Sequence, residues 1–300
     1  MRRWKSTFVA SLCVVGAFNL GCNYKQMVIN SSYLMVDEAI ISFFAEPDTQ
    51  LAAQAAPANL KLLEGMAKGA PENADIQLAT AQLYGMYALG FLEDSTADED
   101  AQEAANARAA QLYLRAFGYA QKALQQQVDF KSMMTMDIEQ FREALKHFEK
   151  EDVPALFWAA FNWGLYINMS RSDLQAIGDL PKVQAMANRI IELDERYYYG
   201  GAHLILMVYN GVLGPAMGGN PKMTKQAYYK AWRISGRKFL MTKYLFARYY
   251  CLQTQNRWYF EKLLNEIIDA PDNLLESQSL ANALAKEKAA RLLAQVDDLF

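Results

Sequence analysis

The sequence predicts an all-α protein made of stacked antiparallel helix pairs. Three observations predict it. Ala, Leu, Gln, Glu, Lys and Met, all good helix formers, dominate the long segments. Apolar side chains recur at three- and four-residue spacing within those segments. Short turns rich in Pro, Asn, Asp and Gly separate them, and strand-forming runs are scarce. The chain has 300 residues and is 52% hydrophobic, so it can bury a sizeable core. Lys and Arg are scattered along it and the net charge is -3, a pattern that argues against a nucleic-acid surface.

Each element follows from local signals. Residues 25–44 place Val28, Ile29, Leu34, Met35, Ile40 and Ile41 at near-helical spacing. Glu46-Pro47-Asp48 breaks that pattern, and Asp48 or Thr49 can cap a helix running to about Lys68, with Leu60, Leu63, Met66 and Ala67 as its apolar stripe. Pro57 removes an amide donor and crowds the preceding turn, so a kink or break is expected there. A turn over 69–73 leads to a helix over 75–92 lined with small residues, Tyr84, Tyr87 and Phe91. The acidic stretch 93–100 reads as a solvated loop, followed by a long helix over 101–126 with Ala109, Leu112, Ala116, Tyr119 and Ala123 on one face. Asp137 caps a helix over 137–148, and Asp152 with Pro154 opens one over 153–169. Further helices are expected over 181–194, 199–213, 220–235, 240–251, 257–268 and 277–299, the third opened by Asn220-Pro221 and the second last by Arg257. Several of these form pairs, and their stacking resembles that of tetratricopeptide (TPR) repeats, with a degenerate spacing. Residues 46–300 read as one solenoid-like domain, and 22–45 as a processed N-terminus with a first helix.

The N-terminus is an address. Arg2, Arg3 and Lys5 precede an uncharged, mostly apolar run over 8–18, too short to span a bilayer comfortably, so 1–21 reads as a signal peptide. It ends Asn19-Leu20-Gly21-Cys22, a small residue before Cys that resembles a bacterial lipoprotein cleavage site, although Asn19 and Leu20 depart from the usual pattern. Cys22 is then expected to carry a lipid, with ordinary secretion and an incidental Cys as the alternative. Asn23, by the same resemblance, implies sorting to the outer rather than the inner membrane of a periplasm. With Cys13 lost in the leader and Cys22 modified, Cys251 has no disulfide partner and reads as a small buried hydrophobe.

An ordered series of short motifs then accumulates. Ala56-Pro57-Ala58-Asn59-Leu60 is followed by Ala70-Pro71-Glu72-Asn73 and by Tyr113-Leu114-Arg115-Ala116. Pro154-Ala155-Leu156-Phe157-Trp158 leads to Asn162-Trp163-Gly164, then Glu192-Leu193-Asp194-Glu195 and Gly200-Gly201-Ala202-His203-Leu204. Gly218-Gly219-Asn220-Pro221 and Ala247-Arg248-Tyr249-Tyr250 complete it, with Arg257, Phe260 and Leu264 beyond. In this order the series resembles the T-component family of tripartite ATP-independent periplasmic (TRAP) transporters, across almost the whole mature chain. The resemblance implies a periplasmic lipoprotein with cryptic TPR-like helices, a homotrimer, and a partner in the transporter's solute-binding protein, the P component. Gln255-Asn256-Arg257 departs from the family, which commonly has an acidic residue before that Arg.

Enzyme chemistry lacks parts. The two histidines, His147 and His203, lie in no metal motif, and no Cys pair supports zinc. Gly218-Gly219-Asn220-Pro221 lacks the Lys and the preceding strand of a phosphate loop and reads as a turn and helix start. No cofactor and no catalytic residue is expected. Glu64 and Arg115 each fall inside an apolar stripe and are read as a structural ion pair, with a carboxylic acid of raised pKa as the alternative. Trp158, Asn162, Trp163, Tyr166, Tyr197, Tyr198, Tyr199 and Tyr209 are candidates for a partner or ligand surface, with core packing as the competing explanation for the aromatics. The resemblance implies an accessory lipoprotein of a TRAP-type uptake system that binds the solute-binding protein, and the aromatic set adds the expectation that it passes an apolar or amphipathic solute. A TPR-like scaffold for envelope assembly and a helical cell-wall enzyme are the rivals.

Overall fold

The computed structural model describes Val28 and residues 33–125, 129–212 and 219–300. The signal peptide, Cys22 and most of the expected 25–32 helical segment lie outside the described residues. All regular structure among the described residues is helical.

Short polar side chains set most helix starts by accepting the amides that a first turn leaves unpaired. Helix α1 (Tyr33–Ala45) is followed by Asp48, which accepts from the amides of Gln50 and Leu51 and opens α2 (Thr49–Gly69). Asn73 opens α3 (Ala74–Phe91) and Asp98 opens α4 (Glu99–Leu124) in the same way. Asp129 starts the single turn of α5 (Phe130–Met134), and Asp137 starts α6 (Ile138–Leu145). Helix α7 (Val153–Met169) carries Pro154 in its first turn. Then come α8 (Leu174–Gly178), α9 (Leu180–Asp194), α10 (Tyr197–Gly211) and α11 (Pro221–Ile234), the last capped by Asn220. The chain ends with α12 (Met241–Phe246), α13 (Arg257–Ile268), α14 (Ser279–Ala294) and α15 (Val296–Leu299).

Several expectations are corrected. Helix α2 continues through Pro57, which is exposed, so the carbonyl that loses its donor lies where water can replace it. The helix expected from residue 199 does not start there. Tyr198 (φ 45°, ψ 55°), Tyr199 (φ 58°, ψ 31°) and Gly200 (φ 77°, ψ 33°) are left-handed, and regular helix begins at Gly201. The segment expected to be one helix over 240–251 is α-helical only to Phe246 and passes into a π turn over Ala247–Cys251. The five-residue helices α5 and α8 are too short to show a periodicity and were not anticipated.

The helices pack mainly in chain order: α2 on α3, α3 on α4, α4 on α7, α7 on α9, α9 on α10, α10 on α11. Helix α14, however, packs on α12 and α13 and also returns to α1 and α2. In an open solenoid each unit touches only its neighbours; here the last long helix meets the first two. Two core clusters result. One centres on Phe130, Phe141, Phe148, Trp158 and Trp163, the other on Tyr244, Phe246 and Phe260. The seam between them holds the candidate site.

Candidate functional site

A cavity of about 470 Å³ opens along this seam, a size typical of small-molecule sites. Helix α7 lines it with Phe157, Ala160, Gly164 and Asn168, and α10 with Gly201, Leu204 and Val208, continued by Val212 just past its end, each set at helical spacing. The two helices run parallel. Phe157 lies against Gly201 at one end, and at the other Asn168 donates to the Tyr249 hydroxyl (3.0 Å), while the Tyr249 main chain lies against Gly211. Residues 201–211 span roughly 15 Å at 1.5 Å per residue, so the chamber is elongated. Met86 and Gly90 of α3, Val183 of α9, Leu245 of α12 and Leu284 of α14 complete the wall. Glycine lets these elements close in. A Cβ on Gly201 would stand 2.5 Å from the Phe157 ring, and one on Gly90 would stand 2.9 Å from Leu284.

The lining is apolar except at one end. Tyr198 and Phe239 mark the apolar end, beside Phe157; Asn168, Arg171 and Gln253 mark the other. Arg171 is the charged lining residue among those described. Tyr198 lies deep in the molecule yet keeps part of its surface, because it faces this space.

The sequence candidates divide on burial. Trp158 and Trp163 are core: Trp158 packs edge-on against Phe157 and Tyr198, and Trp163 stacks on Phe117. Asn162 is fully buried; its amide donates to the carbonyls of Trp158 (2.8 Å) and Ala81 (3.3 Å), in a notch left by Gly85. These three cannot present a surface, because α7 is enclosed by α3, α4, α9 and α10. Tyr166 is half-buried against the first cluster, and Tyr197 packs on Phe157. Tyr199 stacks on Phe239 and shares a hydrogen bond with Ser277. Of the set, Tyr198 and Tyr209 face the cavity.

The Glu64–Arg115 ion pair is also corrected. Glu64 pairs with Lys61 and, at 3.3 Å, with Lys68, both one turn away on α2. Arg115 is exposed on α4 and instead donates to the Tyr84 hydroxyl (3.4 Å), which donates to Glu64 (3.2 Å). Lys61, and despite partial desolvation Lys68 and Tyr84, hold the Glu64 carboxyl down at about 2, the opposite of a raised catalytic acid. His203 is buried, 3.5 Å from Glu195, and burial lowers its pKa. Burial pushes the Cys251 thiol up to about 12, as for an inert core cysteine.

A polar cluster that sequence reasoning missed bridges the seam. The buried Glu93 carboxylate accepts from Tyr113, and Lys288 of α14 donates to the Glu93 main-chain carbonyl. Arg248 pairs with Asp94 at 2.8 Å, and Tyr244 donates to the same carboxylate. Burial, then the adjacent Asp94 charge, pushes Glu93 up to about 7, and burial pulls Lys288 down to about 8. One signal was readable. Lys288 interrupts the α14 apolar stripe of Leu284, Ala285, Ala289 and Leu292, as a buried and partnered Lys would.

These features describe a helical container with an apolar chamber. The sequence pattern of the TRAP transporter T-component family matches residues 45–300, nearly all of the described chain. The chain belongs to that family. T components are extracytoplasmic accessories of a transporter, which places this chain in solute transport. It is also 24% identical, over 86% of its own length and 82% of the other's, to an uncharacterised protein of Treponema pallidum (strain Nichols). Among the described residues of this T component no helix is long and apolar enough to cross a membrane.

Proposed function

We propose that this T component holds an apolar or amphipathic solute in the α7–α10 chamber while docked to the P component of its transporter. The observation that carries the reading is the chamber itself, elongated, apolar and about 470 Å³, in a member of a transport-accessory family. A lipid on Cys22 keeps the protein at the envelope, outer membrane rather than inner, and a trimer presents several chambers together. With Trp158 and Trp163 in the core, the aromatic anchors for the partner move to exposed Trp258 of α13 and Tyr229 of α11.

The test is co-purification of the full chain carrying Cys22→Ala with the TRAP-type solute-binding protein of its own cell, and light scattering of each alone and mixed. A self-associated chain that binds this partner, and binds it less well as Trp258→Ala, is expected. A strict monomer that ignores the solute-binding proteins of its own cell would point to an envelope-assembly scaffold instead.

A further inference from the structure

We infer that the solute is a long-chain carboxylic acid, inserted tail first, with its carboxylate on Arg171. This rests on the chamber being a solute site. The chamber's polarity has a direction. Its walls are apolar along the roughly 15 Å spanned by residues 201–211, and its polar groups gather beside the C-terminal ends of α7 and α10.

Arg171 is placed rather than loose. Its Nε donates to the main-chain carbonyl of Asn168 (3.0 Å) and its Nη2 to the Asn168 side-chain oxygen (2.6 Å). That leaves the Nη1 edge of the guanidinium for another acceptor. Arg171 makes no ion pair among the described residues. The nearest acid in sequence, Asp173, is engaged at the start of α8 with the amides of Gln175 (2.9 Å) and Ala176 (3.3 Å). Across the mouth, Gln253 donates to the Val212 carbonyl (3.4 Å), a second polar side chain at the same level. A fixed cation without a carboxylate, at one end of an apolar tube, is complementary to an anionic head on an apolar chain. A neutral apolar solute uses the tube and leaves the guanidinium idle, and a cationic head is repelled by it. The tail then runs toward Tyr198 and Phe239, where the lining offers only ring faces, methyl groups and a lone phenol.

The experiment uses the full chain carrying Cys22→Ala, which removes the acyl group that could compete for the site. Displacement of the neutral fluorophore N-phenyl-1-naphthylamine is followed with hexadecanoate, hexadecanol and hexadecyltrimethylammonium, at a pH where the acid is ionised. Hexadecanoate should displace it at concentrations about tenfold to a hundredfold lower than the alcohol, the range of one charge-assisted contact. Arg171→Gln should bring the acid to the level of the alcohol and leave the alcohol unchanged, and Arg171→Lys should recover part of the difference. Equal binding of acid and alcohol to the unsubstituted site, or equal weakening of both by Arg171→Gln, would overturn the assignment of the head group and leave the chamber as an apolar site. Failure of all three compounds to displace the fluorophore, with Ala160→Phe also without effect on its fluorescence, would overturn the chamber as a solute site altogether.

Discussion

The buried ammonium of Lys288 donates to the main-chain carbonyl of Glu93, 195 residues earlier in the chain. Arg291, one turn on, donates to the next carbonyl, that of Asp94, at 2.9 Å. Helix α14 thus clamps the turn by which the chain leaves α3, where Asp94 adopts a left-handed φ of 46°. The same Asp94 carboxylate engages Arg248 and Tyr244, so elements from the C-terminal third hold one short loop of the N-terminal third. This cross-link fixes the two core clusters against each other and fixes the walls of the chamber between them.

Glu93 makes stability depend on pH. Its carboxyl is raised in the fold from 4.5 to about 7, so the folded state retains a proton that the unfolded chain has lost. That contribution is complete below pH 4.5 and is lost as pH rises through 7, an effect on the order of a few kcal/mol for a group so deeply buried. Glu93→Gln keeps an acceptor for Tyr113 and removes the ionisation. Its unfolding free energy, measured in urea from pH 4.5 to 8, should gain steadily on the wild type through that window. Parallel curves would show that Glu93 ionises freely in the fold.

The close packing of α3 on α7 depends on Gly85. A Cβ there would stand 2.1 Å from the Asn162 side-chain oxygen, inside a fully buried site. Gly85→Ala should cost about 1–3 kcal/mol by overpacking. The double variant with Asn162→Ala should recover most of that loss relative to Asn162→Ala alone. Additive losses in such a cycle would mean that the two positions do not meet.

Arg115 should be nearly dispensable. Glu64 keeps Lys61 and Lys68 whatever stands at position 115, and the Arg115 guanidinium reaches only the Tyr84 hydroxyl and, at 5.5 Å, the Tyr84 ring. Arg115→Leu should therefore change the denaturation midpoint by the equivalent of less than about 1 kcal/mol. A loss several times larger would restore a direct Glu64–Arg115 pair.

Anchoring is tested at Cys22. Cells fed a clickable fatty-acid analogue should label the wild type, and Cys22→Ala should appear in the soluble periplasmic fraction. A wild type that takes up no label would remove the lipoprotein assignment and leave ordinary secretion.

Helices were readable where a side chain does local work. Asp48, Asp137 and Asn220 cap the starts expected of them, and α13 runs over Arg257–Ile268 as its pattern indicates. The failures share a cause, which is that the deciding partner is distant. Nothing near Tyr198 and Tyr199 announces left-handed backbone; their conformation suits rings packed on Trp158 of α7 and Phe239 before α12. Trp158 and Trp163 looked available because α7 is apolar all round, and such a helix is enclosed, with no outward face to read. The chamber entered the sequence candidates only through Tyr198 and Tyr209. It is made of gaps between helices far apart in sequence, and its one charge, Arg171, follows α7 in an exposed turn whose local pattern is that of any surface loop.

The return of α14 to α1 and α2 also sets an order in time. Ala281 and Leu284, which finish the chamber wall, belong to a helix that is made after every other element of that wall. Until that helix arrives, the groove between α7 and α10 lacks part of its lid and lies open to water, although the first core cluster is already complete in sequence. The chamber is therefore closed last, and a cut just ahead of residue 279 that frees α14 would remove the wall at Ala281 and Leu284.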